Sequence, residues 1–143
     1  MTDNLELLNF IHTNAEMGKT TINQLLGVVK GGDFATVLES QVNEYTQIYD
    51  VAQNEISAAQ QKPEKVSPLT KASTYLMINM NTLTNKTPSH ISEMLIQGST
   101  MGTIDITKRM NQYKGSDQKV KDLASRLLTF EENNINQLKV YLQ

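Results

Sequence analysis

The 143-residue sequence contains no cysteine. Disulfide bonds, thiolate nucleophiles and cysteine-based zinc or iron–sulfur sites are therefore excluded, and the absence weakly favours a reducing compartment. The formal net charge is only −2, with basic residues spread along the chain, so no positive patch is offered to nucleic acid or an anionic membrane. No apolar run is long enough to span a bilayer, and the start, MTDNLELLNF, lacks the pattern of a secretory leader. We expect a cytoplasmic protein with no nucleic-acid or membrane partner.

Familiar catalytic motifs are lacking as well. The sequence has no glycine-rich phosphate loop, no HExxH zinc motif and no GxSxG nucleophile elbow. We therefore predict no catalytic residues and no bound cofactor of the kinds that these motifs hold. The protein is expected not to be an enzyme.

Apolar residues recur at alternating spacings of three and four along most of the chain, which is typical of helices packed in a bundle. The sequence predicts an all-α protein with one domain over residues 1–143, five helices and no strand. On the first helix the apolar face carries Leu8, Ile11, Ala15, Gly18, Ile22, Leu25 and Val29. On the second helix the core-facing side carries Phe34, Leu38, Gln41, Tyr45, Ile48, Ala52, Ile56 and Ala59. The predicted helices cover about 4–30, 34–61, 68–85 and 88–114, and a last helix begins after Ser116 or Asp117 and ends near 142.

Turn and cap residues group these helices into two hairpins. Gly31-Gly32 supplies a left-handed turn after the first helix, and Asp33 is the predicted N-cap of the second. Thr87-Pro88 pairs a good N-cap residue with proline at the first helical position, and Gly115 ends the same helix. The sequence thus predicts hairpin 1 over about 4–61, a crossover helix over about 68–85, and hairpin 2 over about 88–142.

One short pattern occurs twice in the chain. Met17-Gly18 recurs as Met101-Gly102, 84 residues later. The same offset matches the turn and its cap, Gly31 with Gly115 and Asp33 with Asp117. We predict two hairpins related by a pseudo-two-fold axis, with helices in close contact at Gly18 and Gly102. The alternative is a chance similarity between two helical hairpins.

Two helical hairpins joined by a long crossover resemble the ferritin-like superfamily of four-helix bundles. In many members, one helix of each hairpin gives a Glu and its partner gives Glu-x-x-His, and together these hold two iron or manganese ions. Here EYTQ offers Glu44 with Gln47, EENN offers Glu131 with Asn134, and Glu16 stands near the lone Glu of the first hairpin. Amides replace both histidines and are poor ligands for these metals. The resemblance therefore implies a bacterial ferritin-like bundle with most metal ligands lost and no cofactor; the alternative retains iron or manganese.

Several polar residues fall at core-facing positions, namely Gln41, Tyr45, Asp105, Arg109, Glu131 and Asn134. Buried charges need partners; Asp105 and Arg109 can pair at i, i+4, and Tyr45 is the expected donor to Glu131. We interpret these residues as a hydrogen-bonded polar layer that fixes helix register. The alternative is a degenerate metal or small-molecule site, with candidate ligands Glu131, Asn134, Glu44, Asp105, Glu16 and His12. His12 and Glu16 are expected to form an exposed pair rather than a metal site.

Two hypotheses about function follow. The first is a non-catalytic ferritin-like bundle that acts through protein–protein contacts, as a homodimer. The second is a bundle that binds a metal ion or a small molecule at the degenerate carboxylate site in its core.

Overall fold

The computed structural model describes residues 2–63 and 83–143. These residues form four α-helices: α1 (Thr2–Leu26), α2 (Gly32–Ala58), α3 (Pro88–Gln112) and α4 (Gln118–Lys139). Neither described range contains a strand, which confirms the all-α prediction for them. The predicted crossover helix falls mainly on residues outside these ranges, and its last predicted residues, 83–85, are not helical. Four helices, rather than the expected five, are thus counted in the described parts of the chain.

The helices pack in antiparallel pairs. Gly18 on α1 faces Tyr45 on α2, and Gly102 on α3 faces Glu131 on α4. The two hairpins meet where Tyr45 contacts Glu131 and, at one end, where the Tyr113 hydroxyl donates to Asn4 at the start of α1. The end of α2 and the start of α3 therefore lie at opposite ends of the bundle. Within the described ranges, no helix combines the length and apolarity that a membrane crossing requires.

The predicted helix faces are the buried ones. α2 buries one residue in every three or four, because that spacing brings side chains back to the same side of a helix. Its buried residues are Phe34, Ala35, Leu38, Gln41, Tyr45, Ile48, Ala52 and Ile56. On α1 the predicted face is buried from Leu8 to Leu25, and only Val29, beyond the helix end, is partly exposed. The core is therefore a continuous apolar seam interrupted by a few polar side chains.

Burial repeats between the two hairpins with two different offsets. Each buried residue of α3 lies 84 residues after a buried residue of α1, as the repeated Met-Gly indicated. Between α2 and α4 the offset is 86, which pairs Phe34 with Val120, Leu38 with Ala124, Gln41 with Leu127, Tyr45 with Glu131, Ile48 with Asn134 and Ala52 with Leu138. The second hairpin therefore has two more residues around its turn than the first.

Because the offset changes from 84 to 86 at the turn, the predicted match between the two turns was wrong. Gly31 and Gly32 have φ of 69° and 80°, which favours glycine, and Gly31 rather than Asp33 is the N-cap of α2. Asp117 does cap α4, since its carboxylate accepts from the backbone N–H of Lys119 at 2.9 Å. Gly115 serves a different purpose, because a side chain there would collide with the ring of Tyr113. The matches of Gly31 with Gly115 and of Asp33 with Asp117 were accidental.

Thr87 caps α3 as predicted. Its hydroxyl accepts a hydrogen bond from the backbone N–H of His90 at 3.2 Å, and Pro88 occupies the first helical turn. This arrangement fixes where α3 begins, and therefore the height at which Ser99 and Gly102 enter the core.

Candidate functional site: a buried tyrosine–glutamate pair

The centre of the bundle contains one buried carboxylate and one buried phenol in direct contact. Glu131 on α4 is fully buried, and Tyr45 on α2 is 1% exposed. The Tyr45 hydroxyl donates a hydrogen bond to Oε1 of Glu131. The sequence had indicated Tyr45 as the donor, and the structure confirms that prediction. This pair joins the two hairpins through a polar contact inside the apolar core.

The repeated glycines make room for this pair. A methyl group at Gly18 would lie 2.5 Å from the ring of Tyr45, and one at Gly102 would lie 2.9 Å from Oε2 of Glu131. Both distances are shorter than normal contacts, so no larger residue fits without a shift. The predicted close contacts at Gly18 and Gly102 therefore exist, but each glycine backbone meets a side chain of the neighbouring helix rather than its backbone.

Burial sets the protonation of Glu131. Loss of hydration raises the pKa of its carboxyl group from 4.5 to about 7, while hydrogen bonding by Tyr45 and by Ser99 lowers it. Oε2 has no hydrogen-bond partner that meets normal geometry among the described residues, although the Ser99 side chain approaches the carboxyl group closely enough to affect its pKa. The site therefore holds a carboxyl group that can gain or lose a proton near neutral pH.

Three amide side chains extend the polar layer. Asn14, Gln41 and Asn134 are 6%, 2% and 2% exposed. Gln41 donates to Gln137 at 3.5 Å, whereas Oδ1 of Asn14 and Nδ2 of Asn134 have no partner among the described residues. Four members of the predicted layer, Gln41, Tyr45, Glu131 and Asn134, are thus buried in the core as expected.

Asp105 and Arg109 are not part of this layer. Asp105 is half-buried and Arg109 is exposed, and their side chains form no ion pair in the described structure. The guanidinium of Arg109 instead lies over the ring of Phe10, 4.9 Å from its centroid. Both residues sit at the edge of the apolar face of α3, where a charge can reach water. The prediction of a buried Asp105–Arg109 pair was wrong.

Glu44, the candidate metal ligand on α2, is already engaged in an ion pair. Glu44 is bound by Arg126 through two hydrogen bonds of 2.9 and 3.1 Å, and Gln47 accepts a third from the same guanidinium. The core-facing positions of this part of α2 are Tyr45 and Ile48, as predicted, each one residue beyond Glu44 and Gln47. At 100° per residue, that step turns Glu44 and Gln47 toward the surface.

His12 and Glu16 also differ from expectation. His12 is only 3% exposed: its Nε2 is 3.1 Å from Oε1 of Gln53, and its ring lies on Tyr49 with centroids 4.3 Å apart. Glu16 is half-buried. The predicted exposed pair was wrong for His12, because Tyr49 and Gln53 on the neighbouring helix provide a partner that a single-helix pattern does not reveal.

These side chains do not fit a di-metal centre. Within the described residues, no group of three His, Asp or Glu side chains could hold a metal ion, and Glu131 is the one carboxylate of the buried core. Its neighbours are a phenol that keeps its proton and donates it in a hydrogen bond to Glu131, a hydroxyl and carboxamides. In this neutral form these groups are weaker ligands for iron or manganese than imidazole and carboxylate. The arrangement can bind a proton and fix helix register.

The sequence did not single out Asn14, whereas counting from the Gly115 turn places Ser99 across from Glu131. Each is buried beside the carboxyl group, Asn14 four residues before Gly18 and Ser99 three residues before Gly102. These spacings place both on the seams that the repeated glycines define, so the seam itself was the missed signal.

Comparison with known proteins identifies the fold. The sequence matches no protein-family model and has no significant match among curated protein sequences. Among solved structures, the chain is similar to the dodecameric thioferritin, a bacterioferritin-related protein, from Bacteroides fragilis, with a TM-score of 0.79 and 15% sequence identity over 98% of this chain and 84% of that one. The chain has a ferritin-like fold.

Proposed function

We propose that this protein is a non-catalytic ferritin-like bundle that acts through protein–protein contacts and assembles with copies of itself. The observation that carries the proposal is the Tyr45–Glu131 pair. A carboxylate bound by a tyrosine hydroxyl, with no second carboxylate beside it in the described core, suits a structural role better than metal chemistry.

Matched positions in the two hairpins support this interpretation. The offset of 86 residues pairs Tyr45 with Glu131 and Ile48 with Asn134. On each helix the two positions are three residues apart, as in Glu-x-x-His. A symmetric di-metal site needs Glu and His at both places, and three of these four positions carry other residues. We infer that the hairpins are related by a pseudo-two-fold axis with a crossover between them, and that the symmetric positions have lost their metal ligands.

Self-assembly is supported by the neighbour and by the surface of α3. The similar thioferritin is a dodecamer. Met101 and Ile104 are 36% and 50% exposed, and their spacing of three residues places them on one side of α3. Adjacent exposed apolar side chains mark a surface that gains from being covered. A homodimer is the smallest assembly that this proposal allows.

Elemental analysis and light scattering test the proposal together. Protein produced with added iron and manganese is expected to contain far less than one equivalent of either metal. Its mass in solution is expected to be at least twice the 16.0 kDa mass of one chain. Ile104→Lys should shift the mass toward the monomer, because a charge cannot be buried cheaply in an interface. Ser57→Lys, at an exposed position of α2, serves as the control and should not.

Two results would contradict the proposal. About one metal ion per chain, lost on Glu131→Ala, would establish the metal-binding alternative. A monomeric mass at all accessible concentrations would contradict the assembly part of the proposal. If such a monomer also contained no metal, only the structural role of Glu131 would stand.

A further inference from the structure

An open groove of about 530 Å³ lies between α2 and α4. α4 lines it from Asp122 to Gln137, a distance of about 22 Å along a helix axis, and Ser40, Gln41 and Glu44 line it on α2. Small-molecule sites commonly have volumes of roughly 300–1,000 Å³. The groove is therefore large enough for a small ligand, and neither Tyr45 nor Glu131 lines it.

The groove contains an unsatisfied hydrogen-bond donor. Asn134 is one of its lining residues and is 2% exposed, and its Nδ2 has no partner among the described residues. A buried amide N–H without an acceptor has lost its hydrogen bond to water and gained none in return, so an acceptor placed there is favoured. Beside it, Phe130 presents its ring edge-to-face against Tyr45, with centroids 4.6 Å apart. A ligand oxygen could satisfy Asn134 while its carbon atoms contact Phe130.

The one basic side chain of the groove is already paired, and the lining as a whole has a net charge of −1, from Glu44, Asp122 and Arg126. Arg126, the one basic lining residue, is held by both oxygens of Glu44 and by Gln47, and the hydrogen bond with Glu44 raises the pKa of Arg126 further. Asp122 accepts a hydrogen bond from Gln118 at 2.8 Å. The lining therefore has no uncompensated cation to attract a phosphate or a carboxylate.

The other lining residues are hydroxyl and carboxamide side chains, including Ser125, Thr129 and Asn133. Each such group both donates and accepts hydrogen bonds, and so does a ligand hydroxyl. We propose that the groove between α2 and α4 binds a small, uncharged, polyhydroxylated molecule of the sugar or polyol class, with a ligand oxygen accepting from Nδ2 of Asn134.

NMR spectra of the ¹⁵N-labelled full chain test this inference with defined probes. The neutral probes are trehalose, N-acetylglucosamine and myo-inositol, and glucose 6-phosphate is the charged comparison. At least one neutral probe should shift the side-chain amide signals of Gln41 and Asn134, with a Kd of about 1 mM or below. The phosphorylated sugar should bind at least tenfold more weakly than the best neutral probe.

Ser125→Trp fills the groove from an exposed position of α4 and should abolish these shifts. Ser57→Trp is the matched control at an exposed position outside the groove, and it should leave them unchanged. Unchanged backbone signals at Gly18 and Gly102 in both variants establish that the fold is intact. Failure of every neutral probe at about 20 mM, equal binding to the Ser125→Trp variant, or preference for the phosphorylated sugar would overturn the inference.

Discussion

Replacing Glu131 by Gln should remove one component of the pH dependence of stability. In the unfolded chain this carboxyl group ionises at its ordinary pKa of 4.5, whereas in the folded bundle burial raises the pKa to about 7. Between these values the folded state holds a proton that the unfolded state has released. The stability contributed by the protonated group is therefore complete below pH 4.5 and is lost as pH rises through 7.

The magnitude follows from the two pKa values. Each pKa unit corresponds to 1.36 kcal/mol, so the full effect is roughly 3 kcal/mol, of which about 2.5 kcal/mol falls between pH 5 and pH 8. Glutamine has nearly the same shape, can accept the hydrogen bond from Tyr45, and does not titrate. Relative to the wild type, Glu131→Gln should therefore gain about 2.5 kcal/mol over that interval.

Urea denaturation at pH 5, 6, 7 and 8 measures this difference. Other titrating groups are common to both proteins and cancel in the comparison. Glu132→Gln, at the exposed position next in sequence, is the matched control and should show the wild-type pH dependence. Parallel curves for the wild type and Glu131→Gln would refute the reasoning, since they would mean that Glu131 titrates normally in the folded state.

Five further substitutions test the packing, the helix caps and the ion pair of Arg126 with Glu44. Gly18→Ala and Gly102→Ala should each lower the stability by about 1–3 kcal/mol in thermal melts, because the added methyl group meets Tyr45 or Glu131. At an exposed helix position the same change would raise the stability by about 0.5–1 kcal/mol. Increased stability in both variants would show that the glycines do not make room for the pair. Asp117→Ala should cost about 1 kcal/mol while Asp33→Ala changes little, and the reverse order would restore Asp33 as the cap. Arg126→Leu should cost less than about 1 kcal/mol in urea denaturation, since this ion pair is partly exposed, and a much larger loss would mean that it is shielded from solvent.

The helix faces could be predicted because burial in a bundle follows the helical period closely. The predicted face of α2 differs from the observed one only in that Ala35 is added and Ala59 is exposed. The repeated Met-Gly correctly matched α1 with α3. The offset of 84 residues gave a wrong match at the turn, because two additional residues in the second hairpin change the offset. No local sequence pattern marks an insertion of that length.

The site was predicted in part for a related reason. Glu131 and Tyr45 lie at the middle of their apolar faces, so their meeting follows from counting along two helices. Asp105 sits at the edge of its face, where a small rotation decides between core and solvent. The burial of His12 depends on Tyr49, a partner on another helix, and only a three-dimensional arrangement reveals such contacts.

The most direct test of the central claim is an NMR titration of the Glu131 side-chain carboxyl carbon in ¹³C-labelled protein, with and without Mn²⁺. Loss of the proton moves this signal, and a bound paramagnetic ion broadens it. We predict an apparent pKa of about 7 for Glu131, with no broadening when Mn²⁺ is added. A signal that titrates near 4.5, or one that is broadened by stoichiometric Mn²⁺ in the wild type and sharp in a protein with Glu131 replaced, would contradict the account of a proton-binding pair in the core.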